Sequence, residues 1–362
     1  MLYHLLYPLR DLWFGFNVFK YITFRTAMAS ITAFLLSVII GPVIIKKLSH
    51  LKMGDSPRKE HVGSLYELHR HKEGTPTMGG IVIILSLVIS TILWARLNNH
   101  LVILCLISVV WLSIVGFIDD YIKLLKIKPR GLSAAAKFSG QLVLAAGIAV
   151  YLYFEPQMSG ELYLPFLKHA LVNLGVFYIL FVVLVIVGTS NAVNLTDGLD
   201  GLAIGCVSFV GLCYAIISYC AGNVKISDYL HIYYLSGAGE LAVFCACLAG
   251  SALGFLWFNS YPATVFMGDT GSLPLGGAIG LVSVMIKKEI LLLIVGGIFV
   301  AEVLSVMMQV VSFKFFKKRI FLMTPLHHHF QLLGWPESKI TIRFWIVAFI
   351  LTLFGLATLK LR

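Results

Sequence analysis

The chain has 362 residues, of which 59% are hydrophobic and 12% charged, with a formal net charge of +11. So apolar a composition excludes an ordinary soluble domain and a disordered chain, and is that of a polytopic, all-α integral membrane protein. With no soluble domain to carry nucleic acid, the positive charge reads either as the bias of cytoplasmic loops or as a basin for anionic lipid heads or a phosphorylated substrate.

The first 23 residues do not read as a signal peptide, because Arg10, Asp11 and Lys20 interrupt the apolar stretch and no small-residue cleavage site follows. Leu12 to Tyr21 reads instead as an amphipathic segment lying on the membrane. A bilayer core takes about 20 apolar residues per helix. On that measure ten spans are expected: Phe24–Ile44, Met78–Trp94, Leu101–Ile118, Phe138–Phe154, Ala170–Val187, Leu202–Cys220, Leu241–Phe258, Thr270–Ile286, Ile290–Phe313 and Ile340–Leu359. The eighth is the weakest, thinned by Gly271, Pro274, Gly276 and Gly277. All six cysteines fall inside these spans, lack CxxC spacing and read as small packing residues.

The connections expected on one side are residues 46–77, 119–137, 188–201, 259–269 and 314–339, within a single transmembrane domain of residues 1–362. Lys46–Lys72, Lys123–Lys137 and Lys314–Arg343 put 18 of the 28 lysines and arginines on that side, which is therefore expected to be cytoplasmic, with both termini periplasmic. The longest polar stretches lie there too, so that face is where work is expected.

The chain has only 17 acidic residues, yet Asp119, Asp120, Asp197, Asp200 and Asp269 sit at the ends of apolar runs on this face. A carboxylate at the edge of hydrocarbon is costly and is usually kept to bind an ion, a proton or a substrate. Asp119 and Asp120 close the third span; adjacent carboxylates raise each other's pKa unless a cation intervenes, and on a helix they point about 100° apart. Asn194, Asp197 and Asp200 are spaced three residues apart around Gly198 and Gly201, either a turn capping the next span or a broken turn able to hold a ribose, a uracil edge or a hydrated metal. In the stretch from Asn259 to Pro274, Asp269 lies between Gly268 and Gly271, as a helix N-cap or as a metal ligand with glycine access for a phosphate, and Phe266 is placed to stack on a nucleobase. His327, His328 and His329 are a poor tridentate metal site, and suit hydrogen bonds to phosphate from a loop. Thr75 to Gly80, including Thr77, has the look of an anion-cradling helix start, with Lys72 and Lys137 either phosphate contacts or snorkelling side chains. Glu302, inside the ninth span, must find a partner.

Phe117-Ile-Asp-Asp-Tyr-Ile-Lys123, Asn194-Leu-Thr-Asp-Gly-Leu-Asp-Gly201, Phe266-Met-Gly-Asp-Thr-Gly-Ser272 and Pro325-Leu-His-His-His-Phe330 occur in this order. Together they resemble the polyprenyl-phosphate N-acetylhexosamine-1-phosphate transferases, end to end. Thr75–Gly80 and the run from the histidines to Glu337 resemble the branch acting on UDP-N-acetylmuramoyl-pentapeptide. The resemblance implies transfer of the sugar-1-phosphate to undecaprenyl phosphate with release of UMP, a requirement for Mg2+, a homodimer, and a place in the bacterial inner membrane with the site facing the cytoplasm. It makes Asp269 the best Mg2+ ligand, with Asp119 beside it and Asp119 or Asp120 deprotonating or orienting the lipid phosphate. Asn194, Asp197, Asp200 and Asn259 would line the nucleotide side with Phe266 on uracil. Thr77, Lys72, Lys137 and His327, His328 and His329 would meet phosphate or sugar, His327 within the catalytic set. Two alternatives stand beside it: a transferase using UDP-N-acetylglucosamine, which the histidine loop argues against, and an ion-coupled transporter, which would keep its ion site near the bilayer midplane.

Overall fold

The structure is a computed structural model that describes residues 1–50, 72, 74–125, 131–158, 160–167 and 170–360. Most of the expected connection at 46–77, and residues 126–130 of the expected loop at 119–137, lie outside the described residues. After a short N-terminal helix α1 (Leu2–Leu6), the helices are α2 (Ile22–His50), α3 (Gly80–Trp94), α4 (His100–Leu124), α5 (Ala134–Phe154), α6 (Phe177–Thr196), α7 (Leu202–Ala221), α8 (Val224–Leu230) and α9 (Ala238–Asn259). They continue as α10 (Asp269–Met285), α11 (Glu289–Val295), α12 (Gly297–Phe316), α13 (Leu326–Leu332) and α14 (Glu337–Ala357). Among the described residues, eight of these are long and apolar enough to cross a membrane: α2, α4, α5, α6, α7, α9, α12 and α14. The 15-residue α3 is shorter, and α10 has 17 residues.

α10, the span that looked weakest, is the centre of the bundle, and every residue from Thr270 to Met285 is buried. Without a hydrophobic driving force between helices in lipid, small residues hold a bundle together by letting backbones touch. A Cβ on Gly271 would strike Gly80, one on Gly276 the Thr189 carbonyl and one on Gly277 the Leu112 side chain. These glycines therefore seat α10 against α3, α6 and α4. Ser190 adds a hydrogen bond from its hydroxyl to the Leu273 carbonyl (2.9 Å). On the other side, Gly250 and Gly254 of α9 abut the α2 backbone at Ser30 and Phe34.

Several boundaries differ from expectation. The helices outrun their apolar cores: α2 continues through His50, α4 through Leu124 and α6 through Thr196. Asp119 and Asp120 thus lie in the last turns of α4 rather than in a loop, because backbone hydrogen bonding does not stop where hydrocarbon does. Residues 170–176 are not helical; Val172–Asn173 pairs antiparallel with Glu161–Leu162, and Asn173 accepts from Gly175 N (2.9 Å) to turn the chain into α6. The ninth span is broken at Gly296 into α11 and α12. Tyr7–Asp11 and Phe14–Lys20 form 3-10 turns in place of a regular amphipathic helix. All six cysteines are free thiols, five of them buried.

At the far end of the bundle, Arg25 is fully buried and pairs in two-pronged fashion with Glu240 (2.6 and 2.7 Å), while also donating to the Trp94 carbonyl (3.1 Å). This ties α2, α3 and α9 together opposite the end where the acidic residues gather.

Candidate active site

The site forms where α3, α10 and α14 begin and α4, α6 and α9 finish. Two extended segments close it. Phe266 N donates to the Pro76 carbonyl (2.8 Å), Gly79 N to the Phe266 carbonyl (2.8 Å) and Gly80 N to the Met267 carbonyl (2.9 Å). This zipper sets Thr77 beside Gly268, whose φ of +72° suits glycine; a Cβ there would meet Asp120 Oδ2 and Thr77 Oγ1. Gly116 lies so close to the Asp269 carbonyl that any side chain would part α4 from α10.

These contacts bring Asp119, Asp120 and Asp269 together, with a carboxylate oxygen from each lying within 4.8 Å of the others. Asp269 Oδ2 is 2.6 Å from Lys137 Nζ and 3.0 Å from Lys123 Nζ. Asp119 Oδ2 is 2.5 Å from Lys123 Nζ, and its Oδ1 accepts from Leu132 N (2.8 Å). Asp120 Oδ2 accepts from both the backbone and the hydroxyl of Thr270. Asn194, in the last turn of α6, satisfies its neighbours once its amide is oriented by them: the nitrogen then donates to Asp269 Oδ1 (2.7 Å) and Ser272 Oγ (2.6 Å), and the carbonyl faces Lys137 Nζ at 3.3 Å. Three hard carboxylate donors so close together fit an oxygen-seeking divalent cation such as Mg2+.

A second cluster adjoins the first through the loop 197–201, where Gly201 takes a φ of +73° to turn the chain into α7. Asp200 is buried and pairs with Lys72 (2.6 Å), which also reaches Glu337 Oε1 (2.5 Å). Glu337 Oε1 accepts from Asp200 N (2.7 Å), closing a three-residue ring. Lys72 Nζ lies 5.8 Å from the Phe266 ring centroid. Asn259 spends both ends of its amide on backbone, accepting from Gly201 N (3.1 Å) and donating to the Val265 carbonyl (2.9 Å), so it holds the two loops in register. Asp197, at the end of α6, is raised from the ordinary 3.8 to about 8, first by burial and then by the charges of Asp269, Asp120 and Asp200, against a hydrogen bond from Gly268 N–H.

The three histidines belong to the short helix α13, not to a loop, and they point to different partners. His327 is fully buried; its Nδ1 lies 3.1 Å from Glu302 Oε1, the partner that Glu302 needs inside α12. Its Nε2 packs against Gly198, and so meets the same loop as Asp197 and Asp200. His328 Nδ1 faces Gln331 Oε1 (2.8 Å), and His329 Nδ1 accepts from Leu322 N (3.2 Å), so these two help to fold their own segment. Lys123 and Glu337 were not among the residues selected from sequence, although each touches several that were. For Lys123 a signal existed: it stands three and four residues beyond the aspartate pair, on one helix face.

Beside the site, an apolar groove between α6, α11 and α12 runs from Phe181 to Ala192, with Phe299 and Val303 on its other wall.

Residues 100–287 match the family model described as glycosyl transferase family 4, and residues 72–84 match signature 1 of the phospho-N-acetylmuramoyl-pentapeptide-transferases. Curated proteins named phospho-N-acetylmuramoyl-pentapeptide-transferase are similar over the whole of both chains: 54% identical in Citrifermentans bemidjiense, 53% in a Geobacter species and 52% in Desulfotalea psychrophila. With identity at this level from end to end, the chain belongs to the phospho-N-acetylmuramoyl-pentapeptide-transferase family.

Proposed function

We propose that the protein is a Mg2+-dependent phosphoglycosyl transferase of the bacterial inner membrane. It moves phospho-N-acetylmuramoyl-pentapeptide from its UDP carrier to undecaprenyl phosphate, giving lipid I and UMP. The observation that carries this reading is the gathering of Asp119, Asp120 and Asp269 with Lys123 and Lys137 at one end of the bundle, with an apolar groove along the same helix α6.

Both substrates are anionic, and one is anchored in the bilayer, so the reaction belongs at an interface where repulsion is screened. Asp269 and Asp119 would hold the metal. When bound, Mg2+ screens the diphosphate and stabilises the charge on departing UMP. Phosphoryl transfer then asks mainly for positioning and charge stabilisation. Lys137, Thr77 and Asn194 face the phosphates. Asp120 aligns the start of α10, and with it Asp269. Lys72, Asp200, Asn259 and Phe266 form the uridine side, with Asp197 between the two clusters. His327 supports the loop over it, and His328 and His329 flank the sugar. The prenyl chain lies in the groove beside α6, which leads its phosphate towards Asn194. The excess of basic residues on this face supports a site that faces the cytoplasm, and a homodimer is the expected assembly. A transporter reading loses ground, because the carboxylates gather at one end and not at the midplane.

Purified protein given both substrates should release UMP with Mg2+ and fail to do so with EDTA. Exclusive use of UDP-N-acetylglucosamine would move the protein to the neighbouring branch, and no UMP release with either donor would end the reading.

A further inference from the structure

Lys123 has a geometry that neutralising one aspartate does not require. Its Nζ lies 2.5 Å from Asp119 Oδ2, 3.0 Å from Asp269 Oδ2 and 3.6 Å from Asp120 Oδ1, so one ammonium sits among all three carboxylates. Lys137 reaches only two of them, at 2.6 Å from Asp269 and 3.9 Å from Asp119. The Lys123 stem runs along Gly131, where a Cβ would come within 3.0 Å of its Cγ and Cε. Its side chain is 38% exposed, against 3–13% for the carboxylates it touches, so the lysine borders solvent where its partners do not.

A divalent ion held by these residues needs the same oxygens, at about 2.0–2.6 Å. An ammonium and a metal ion cannot both occupy that space, and two cations about 4 Å apart in a poorly screened site repel strongly. We propose that Lys123 is a place-holding cation. It neutralises the three carboxylates, competes with the divalent ion for them, and is released from them when that ion binds. The inference rests on the reading of the aspartates as the metal site. It gives the lysine a second use, because the released ammonium, on a flexible stem with three donors, stays beside the space that phosphate oxygens enter. Metal would then bind weakly alone and better with an anionic substrate that takes up the displaced charge, a coupling that is reciprocal by linkage.

The test is Mn2+ binding to the purified full-length protein without substrates, followed by electron paramagnetic resonance. Lys123→Met should bind Mn2+ roughly tenfold more tightly than wild type, the scale of removing one nearby competing charge. Lys123→Arg, which keeps the charge, should stay close to wild type. Asp269→Asn should lose Mn2+ binding. If Asp269→Asn loses the ion while Lys123→Met binds it no better than wild type, or Lys123→Arg tightens as much as Lys123→Met, the place-holder is overturned and the metal site stands. Wild-type binding by Asp269→Asn would remove the metal site itself, and the inference with it.

Discussion

Asp120 accepts two hydrogen bonds from Thr270, one from the backbone N–H at 2.9 Å and one from the hydroxyl at 2.8 Å, across 150 residues of sequence. It therefore does for α10 what an N-cap does, satisfying a donor that the first helical turn leaves open. Asp119, one residue earlier, spends its oxygens on Leu132 N and Lys123. The pair share a helix turn and differ in work.

The first prediction separates them. Thr270→Val removes one of the two bonds without touching charge. It should cost about 0.5–2 kcal/mol, the scale of a lost cap, seen as a lower melting temperature in detergent, with turnover little reduced because the charge on Asp120 and its bond from Thr270 N remain. Asp119→Asn should lose turnover by about 100-fold. Equal losses of both quantities in the two variants would argue for a shared role.

Asp269 meets Lys123, Lys137 and Asn194 at once. Asp269→Asn should lower turnover at least about 100-fold, the scale of a missing charge stabiliser. Raising Mg2+ should recover part of it if the loss lies in metal affinity. Activity retained at ordinary Mg2+ would take Asp269 out of the metal site.

How much of this was legible from sequence depends on whether a residue is unusual where it stands. Asp119 and Asp269 were conspicuous because a carboxylate beside hydrocarbon is costly. Lys123 and Glu337 were not, since a lysine or glutamate at a helix end is ordinary. What marks them is proximity to Asp269, 146 residues away from Lys123, and to Lys72, 265 residues away from Glu337, and no local pattern encodes that. Helix ends escape the sequence for a different reason: hydropathy reports the thickness of the bilayer, whereas α2 and α4 continue into polar sequence. The glycines that weakened the case for α10 are the same ones that let it occupy the centre. Glu302 announced that it needed a partner, and His327 was visible as a motif, but only the fold joins them.

The ring of Lys72, Asp200 and Glu337 yields a third prediction. Glu337→Gln removes one of the two carboxylates on Lys72 and leaves the acceptor for Asp200 N. If the ring preorganises the uridine side, KM for the nucleotide should rise about three- to tenfold with kcat little changed, the pattern of lost uniform binding. A fall in kcat at unchanged KM would place Glu337 with the phosphates instead.

At the other end of the molecule, Arg25→Met would leave Glu240 buried without its two-pronged partner, with Arg96 still at 3.5 Å. Breaking a buried pair from one side costs about 3–5 kcal/mol, which should appear as a large drop in melting temperature and yield. The protein that remains folded should keep its KM values, since the pair is remote from the site.

Asp197 carries the pH prediction. Its carboxyl is raised from 3.8 to about 8, so the folded protein holds this proton more tightly than the unfolded chain does. The stability this confers is fully present below the unfolded value and is lost as pH rises through about 8. In EDTA, the wild-type melting temperature should fall towards alkaline pH more steeply than that of Asp197→Asn, which has no proton to lose. Parallel curves would mean that Asp197 does not titrate in this range.

Gly198 and His327 make the last prediction, because here a single methyl group tests an arrangement that spans two elements. His327 is held by Glu302 at Nδ1, and its Nε2 finds no hydrogen-bond partner among the described residues. That nitrogen lies where a Cβ on Gly198 would sit. In Gly198→Ala, either the imidazole leaves Glu302 or the loop from Asp197 to Asp200 lifts, and both moves disturb the uridine side. Overpacking of this kind costs about 1–3 kcal/mol, so the variant should still fold while turnover drops well below that of a Gly147→Ala control, where a Cβ meets nothing within 4 Å. If Gly198→Ala turns over like the control, the loop and the histidine are not coupled, and His327 acts on the fold of its own segment alone.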